Sequence, residues 1–343
     1  MNKIVFSIPV IIIIVMTSFS AQQKEGNPAD NLPPYIKRIT QFGERADWSH
    51  DGEKILFVEK TYGDVYEVEI ATGKIFLRTN HFYHGGFTRA LYLANGDIIL
   101  SGCTKFDAAN PHVNRGVNAE LWILDKSFTK PPVRLETKCS EGPAVSRKNM
   151  KIAWTIVHNQ YPDKLKPNQC LIYMADIVYD NGVPRLANKK LLIDNLQTSY
   201  LRSIETQNFV PPLEKEMTFS GYGYQGSEVM LYNIETGEIT NMSNADKQYD
   251  EPEGIFPDGK YTLVECDKQN LQGSNHVDLW KLKLDGSGEM ERLTFFSDYK
   301  GYKASNAVIS DDGKFMAFQM ARSADRAGVG YGIFIMDLAE AKK

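Results

Sequence analysis

Charged and amide side chains recur at one place in this sequence, immediately ahead of short runs that alternate apolar and polar residues. Arg89, Glu141, Gln207, Glu251, Glu253 and Asn306 all occupy it, with Glu44, Arg45, Thr88, Thr206 and Ser305 beside them. A second set follows those runs: Lys105, His112, Asn114 and Arg115, then His158, Asn159 and Tyr161, then Asp267, Lys268, Asn275 and His276, then Arg322, Asp325 and Arg326. The guanidinium groups of Arg89 and Arg322 are two-pronged donors suited to carboxylates. The amides and carboxylates can bond hydroxyls and peptide groups. The combined chemistry is binding of a polar ligand, a carbohydrate or a peptide. Two carboxyl groups from among Glu141, Glu251 and Glu253 could instead do acid–base work on a glycosidic bond, if the fold holds them at the right separation. A metal centre would need imidazoles gathered around an ion. His84, His158 and His276 are a conceivable trio, but no two of the 6 histidines form a His-x-His pair. No metal and no cofactor is expected.

Residues so far apart in sequence can meet only if a repeated element positions them. The stretch "DEPEGIFPDGKYTLVE" (residues 250–265) has relatives in "RADWSHDGEKILFVE" (45–59), "RALYLANGDIILSG" (89–102) and "NAVISDDGKFMAFQ" (306–319), with weaker copies at 142–155 and 207–220. A period of roughly 50 residues signals a repeat architecture. Each copy is followed by a second pattern, such as "VYEVEIATGKIFLRT" from Val65 or "LWKLKLDGSGEMERLT" from Leu279. Period-two alternation broken by Asp-Gly and Thr-Gly turns is the pattern of hairpins, so each repeat is two hairpins. The last repeat stops after "YGIFIMDLAEAKK", one strand short, and an orphan "IKRIT" at residues 36–40 matches the missing strand. The expected fold is all-β, a closed propeller of about six four-stranded blades with the N-terminal strand completing the last blade. Innermost strands begin where their antiparallel neighbours end, so both sets of polar residues should converge on one face, at the mouth of the central channel.

The motif carried by "WSHDGEKILF", "FPDGKYTLVE" and "SDDGKFMAFQ", and continued by "YNIETGEITNMS" and "KLDGSGEMERLT", resembles the TolB-type, WD-like propeller repeat. The resemblance covers nearly the whole mature chain and implies a six-bladed propeller, without naming an activity. It is a resemblance to the propeller of TolB without its N-terminal domain. Similar propellers accompany prolyl-oligopeptidase-like peptidases, whose Gly-x-Ser-x-Gly elbow has no match here. They also form oligogalacturonate lyases, whose closely spaced, His-rich metal site is not matched either. The resemblance thus implies a non-catalytic binding module. The alternative is a secreted lyase or hydrolase acting on acidic oligosaccharides.

With 343 residues, 42% of them hydrophobic, the chain can fill the core of one large all-β domain. A formal net charge of -4 argues against nucleic acid, which requires a basic face. The N-terminus has the layout of a secretory signal peptide: one lysine, an apolar run over residues 4–16, and small residues as far as Ala21. That run falls short of the ~20 residues a membrane span needs. The expected plan is a signal peptide over 1–21, a flexible leader over 22–34 and a single propeller over 35–343. The mature chain would be a periplasmic or secreted monomer without a transmembrane segment. Its partner would be a polar small ligand, an oligosaccharide or an envelope protein. Of the 4 cysteines, Cys170 and Cys266 lie in apolar runs. Cys103 and Cys139 fall near strand ends of neighbouring repeats, where a disulfide is conceivable.

Overall fold

The turn residues set the local geometry. At Asp258-Gly259 the chain reverses with Gly259 at φ 69°, its N–H bonded back to Phe256 O at 2.9 Å. A Cβ at Gly259 would lie 1.9 Å from Pro211 O in the preceding repeat, so this turn needs glycine for its dihedral and for the close approach alike.

A computed structural model describes residues 23–223, 226–325 and 328–342. Its hairpins assemble into six four-stranded antiparallel sheets, the blades of a propeller. From the inside outwards, blade 1 is Glu44–Trp48, Lys54–Val58, Val65–Glu69 and Ile75–Leu77, and blade 2 is Phe87–Tyr92, Ile98–Gly102, Glu120–Leu124 and Val133–Lys138. Blade 3 is Ser140–Val145, Lys151–Val157, Cys170–Asp180 and Val183–Asp194, and blade 4 is Ser203–Phe209, Glu216–Tyr222, Ser227–Asn233 and Ile239–Asn241. Blade 5 is Asp250–Ile255, Tyr261–Cys266, Asp278–Lys283 and Met290–Arg292. Blade 6 contributes Tyr302–Ile309, Phe315–Arg322 and Ile333–Asp337, and its outermost strand is Ile36–Arg38. The register is Ile36 opposite Met336, Lys37 opposite Ile335 and Arg38 opposite Phe334. Thr40 then accepts the Ile333 N–H on its Oγ1 at 2.9 Å. The orphan strand closes the ring as its sequence implies.

Burial follows the same plan. The apolar residues form six clusters, one at each junction between neighbouring blades. Phe318, Phe334 and Phe296 make up the aromatic part of the junction between blades 5 and 6, with ring centroids 5.5 Å apart. Each sheet thus buries both faces against its neighbours, and the ring leaves polar side chains to its axis.

One expectation is corrected, and one open question is answered. Residues 23–34 are not a free leader: Lys24 donates its N–H to Asp298 O at 2.7 Å and accepts from Lys300 N–H at 3.0 Å. Pro28–Asp30 forms a 3-10 turn with Pro28 buried, and Ala29 and Leu32 pack against the cluster between blades 5 and 6. Backbone pairing with the Asp298–Lys300 loop, which alternation in sequence cannot reveal, holds the segment down. All four cysteines are buried free thiols, and Cys103 Sγ bonds to Gly85 O at 3.3 Å instead of Cys139. The expected signal peptide lies outside the described residues. Among the described residues no helix is long and apolar enough to cross a membrane.

Candidate functional site

Every innermost strand slips register against its neighbour: between Glu44 and Asp47, Phe87 and Arg89, Ser140 and Ala144, Thr206 and Asn208, Pro252 and Ile255, and Ser305 and Val308. These bulges place extra residues against the partner strand and re-aim their side chains. The extra residues include Arg45, Glu141, Gln207, Glu253 and Asn306. Arg45, Glu141 and Asn306 hold left-handed backbone, at φ 55°, 65° and 49°. The polar residues expected just ahead of the innermost strands therefore lie within them, where the strand is kinked around the axis.

The result is a cavity of about 390 Å³ at one end of the channel. Its walls include Arg45, Arg89 and Arg115 on one side and Glu205, Glu251, Glu253 and Glu265 on the other. A second cavity of about 240 Å³ opens toward the opposite face, and Arg89, Glu205 and Glu253 border both. Those three residues stand between the two cavities. Arg89 lays its stem on Gly142, where a Cβ would stand 2.8 Å from its Cγ, and donates from Nη1 to Asn306 Oδ1 at 3.2 Å.

The two walls differ in charge. Arg115, carried by the short helix Pro111–Gly116, donates to Glu141 Oε2 from Nε at 2.7 Å, and Arg45 Nη2 reaches the same oxygen at 3.5 Å. Burial pushes the Glu141 carboxyl up, but Arg115 and Arg45 outweigh it and hold the group below the usual carboxylate range. Arg45 is 3% exposed, and its Nε and Nη1 have no hydrogen-bond partner. Burial, then repulsion from Arg115 and Arg89, lowers its pKa. On the other wall, burial and the neighbouring Glu265 raise Glu251 to about 7. Burial with Glu251 raises Glu205 well above its ordinary value, and burial with Glu265 and Glu251 does the same to Glu253. The Tyr222 hydroxyl lies 3.2 Å from Glu205 Oε2 and 3.3 Å from Glu251 Oε1, with one proton to give to either, and Tyr249 donates to Glu251 Oε2. One oxygen each of Glu251, Glu253 and Glu265 lie within 4.8 Å of one another. That trio is the grouping of His, Cys, Asp and Glu, among the described residues, that could hold a cation.

The structure brings Arg89, Glu141, Glu251, Glu253, Asn306 and, at the rim, Arg322 to this one cavity. Glu44, Arg45, Arg115, Asn275, Ser305 and Asp325 join them there, whereas Gln207, Asp267, His158 and His276 do not. Gln207 lines the opposite cavity and donates to Ser220 Oγ at 3.2 Å. Asp267 is buried in a turn, accepting the N–H groups of Tyr249 at 2.8 Å and Gly273 at 2.6 Å. His158 bonds Leu165 O through Nδ1 at 2.8 Å, within its own loop. His276 stands in the 3-10 turn Ser274–His276, where its neighbours Ser274 and Asn275 line the cavity and it does not. The conceivable histidine trio is not assembled. His84 accepts the Gly86 N–H on Nδ1 and so donates from Nε2 to Asp64 at 3.0 Å. Arg326 lies outside the described residues.

Glu205, Glu265, Tyr222 and Tyr249 were not singled out from the sequence. A signal for Glu265 exists: the second strands carry one polar residue near the end of an apolar run, as Ser101, Thr155, Ser220, Glu265 and Gln319. Each pairs with a residue at the edge of the bulge or one position from it.

The fold has solved counterparts. An oligogalacturonate lyase from Vibrio parahaemolyticus superposes with a TM-score of 0.52 at 11% identity, covering 90% of this chain and 94% of that one. An oligogalacturonate lyase in complex with manganese gives 0.53 at 11% identity, with 90% and 94% covered. TolB from Acinetobacter baumannii gives 0.47 at 16% identity, covering 86% of this chain and 65% of that one. At such identities the likeness is one of fold, and it is the propeller class that the repeats imply. No protein-family model matches the chain, and no curated protein matches it.

Proposed function

We propose that the chain is an exported, non-catalytic binding module that takes a polar anionic ligand, an acidic sugar or a peptide carboxylate, into the mouth of its channel. The observation that carries this reading is Arg45: a buried guanidinium with two nitrogens unbonded, beside Arg89 and Arg115. A buried charged donor left unsatisfied is costly, and a ligand carboxylate would satisfy it. The signal-like N-terminus supports export. Arg89, which borders both cavities, offers a second fork to the same anion. Arg89→Ala should weaken binding of acidic glycans or peptides by about 1.5–3 kcal/mol with little change in melting temperature. Calorimetric titration measures this, and an unchanged affinity for the bound anion would sink the reading.

A second reading, a lyase or hydrolase acting on acidic oligosaccharides, draws support from the spread of carboxyl pKa values. Glu141 is held ionised while Glu251 stands at about 7, the pairing that acid–base chemistry uses. Under that reading Glu251→Gln retains binding and loses turnover by about a hundredfold or more. A binder has no turnover to lose.

A further inference from the structure

The charges around the mouth do not balance. Seven carboxylates and five cationic side chains among the described residues line it. Two of the cations are engaged elsewhere: Lys303 Nζ donates to Ser274 O at 2.8 Å, and Arg322 sits 5.7 and 5.0 Å from the ring centroids of Tyr302 and Tyr331. Arg45 and Arg115 turn to Glu141. Glu205, Glu251, Glu253 and Glu265 are left with no ion pair among the described residues. Opposite them is the Arg45 guanidinium, 3% exposed, with Nε 3.9 Å from Glu44 Oε1 and no hydrogen-bond partner at Nε or Nη1. The two walls are one amide apart: Asn306 accepts from Arg89 at 3.2 Å on Oδ1 and donates from Nδ2 to Glu265 Oε1 at 3.3 Å. A cationic wall with guanidinium nitrogens left without hydrogen-bond partners, facing carboxyls that have no cationic partner, calls for a ligand with both charges.

We infer that the ligand is a small zwitterion of amino-acid or dipeptide size, its carboxylate held by Arg45 and Arg89 and its ammonium by Glu251, Glu253 and Glu265. This builds on the anionic-ligand reading above and narrows it. Three oxygens no more than 4.8 Å apart can share a point about 2.8 Å from each, the length of a charge-assisted N–H···O bond. An ammonium has three such donors to give. The volume of about 390 Å³ lies near the small end of ligand sites, which run from about 300 to 1,000 Å³. Bringing a cation beside Glu251, which stands at about 7, favours its ionised form, so binding should release protons.

The test is calorimetric titration of the purified protein with free amino acids and dipeptides, alongside their N-acetyl and C-amide forms, in two buffers of different ionisation enthalpy. The expected result is that a free zwitterion binds at least about tenfold tighter than either blocked form, with buffer-dependent heat from released protons. Glu253→Gln should abolish that preference, and Glu265→Gln gives the same readout should the first variant fold poorly. An N-acetyl form that binds as tightly as its parent overturns the inference and leaves the anionic-ligand reading standing. A C-amide form that binds as tightly as its parent overturns both, as does the absence of binding by every probe. Stoichiometric uptake of Mn2+ or Ca2+ at the trio, with no zwitterion bound, also overturns the inference.

Discussion

Arg45, Glu141 and Asn306 adopt a backbone that costs an ordinary side chain about 1–2 kcal/mol, and each is held in it by a neighbouring blade or by its own charge partner. Gln319 of blade 6 accepts the Arg45 N–H at 2.6 Å, and Glu265 of blade 5 accepts the Asn306 N–H at 2.7 Å. Strain kept in this way is characteristic of sites, and here it turns side chains toward the axis. The carboxyls it gathers have a measurable consequence. Glu251 stands at about 7 in the folded protein against 4.5 for an ordinary glutamate. Between those values the folded chain holds more protons than the unfolded one, so stability falls as pH rises through that window and the full penalty stands above it. Glu205 and Glu253 are displaced the same way. Glu141, displaced downward, contributes stability that is lost only below the window. The melting temperature should be higher at about pH 5.5 than at about pH 7.5, and Glu251→Gln should narrow the gap. A wild-type melting temperature that climbs across that range would contradict the burial of these groups.

At the scale of elements, the strands and their turns were legible because period-two alternation and Asp-Gly signals are local. The closing strand was legible too, since the deficit in the last repeat and the surplus near residue 36 match. Deleting residues 35–40 should uncover the edge of Ile333–Asp337 and remove Ile36 from its cluster. A drop of several degrees in melting temperature, with aggregation, is expected. Scanning calorimetry and light scattering would detect it, and an unaltered melt would refute closure by this strand. Removing residues 23–31 should now cost a smaller but measurable amount, because Lys24 and Pro28 are anchored. The bulges were not legible. A register slip is a property of two strands and of the crowding around the axis, and a single alternating run carries no mark of it.

For the whole molecule, closure makes each blade junction depend on its neighbours. Phe318 is fully buried against Phe334 and Phe296. Phe318→Ala should therefore cost about 3–5 kcal/mol and lower a single cooperative unfolding transition. A melt that splits in two would show the blades uncoupling. The sequence by itself determined the all-β class, the repeat, the ring and its closing strand, because these follow from the alternation and turn chemistry of each segment. It also marked Arg89, Glu141, Glu251, Glu253 and Asn306, since a residue at one register of a repeated strand must face the axis in every blade. Only the tertiary structure decided that Gln207 faces the other cavity, that His158, His276 and Asp267 serve their own loops, and that Glu205 and Glu265 complete a negative wall opposite Arg45. Those outcomes turn on which way a bulged backbone aims a side chain and on which charges from different blades come within a few ångströms. Both are set by the closing of the ring, which no single repeat encodes.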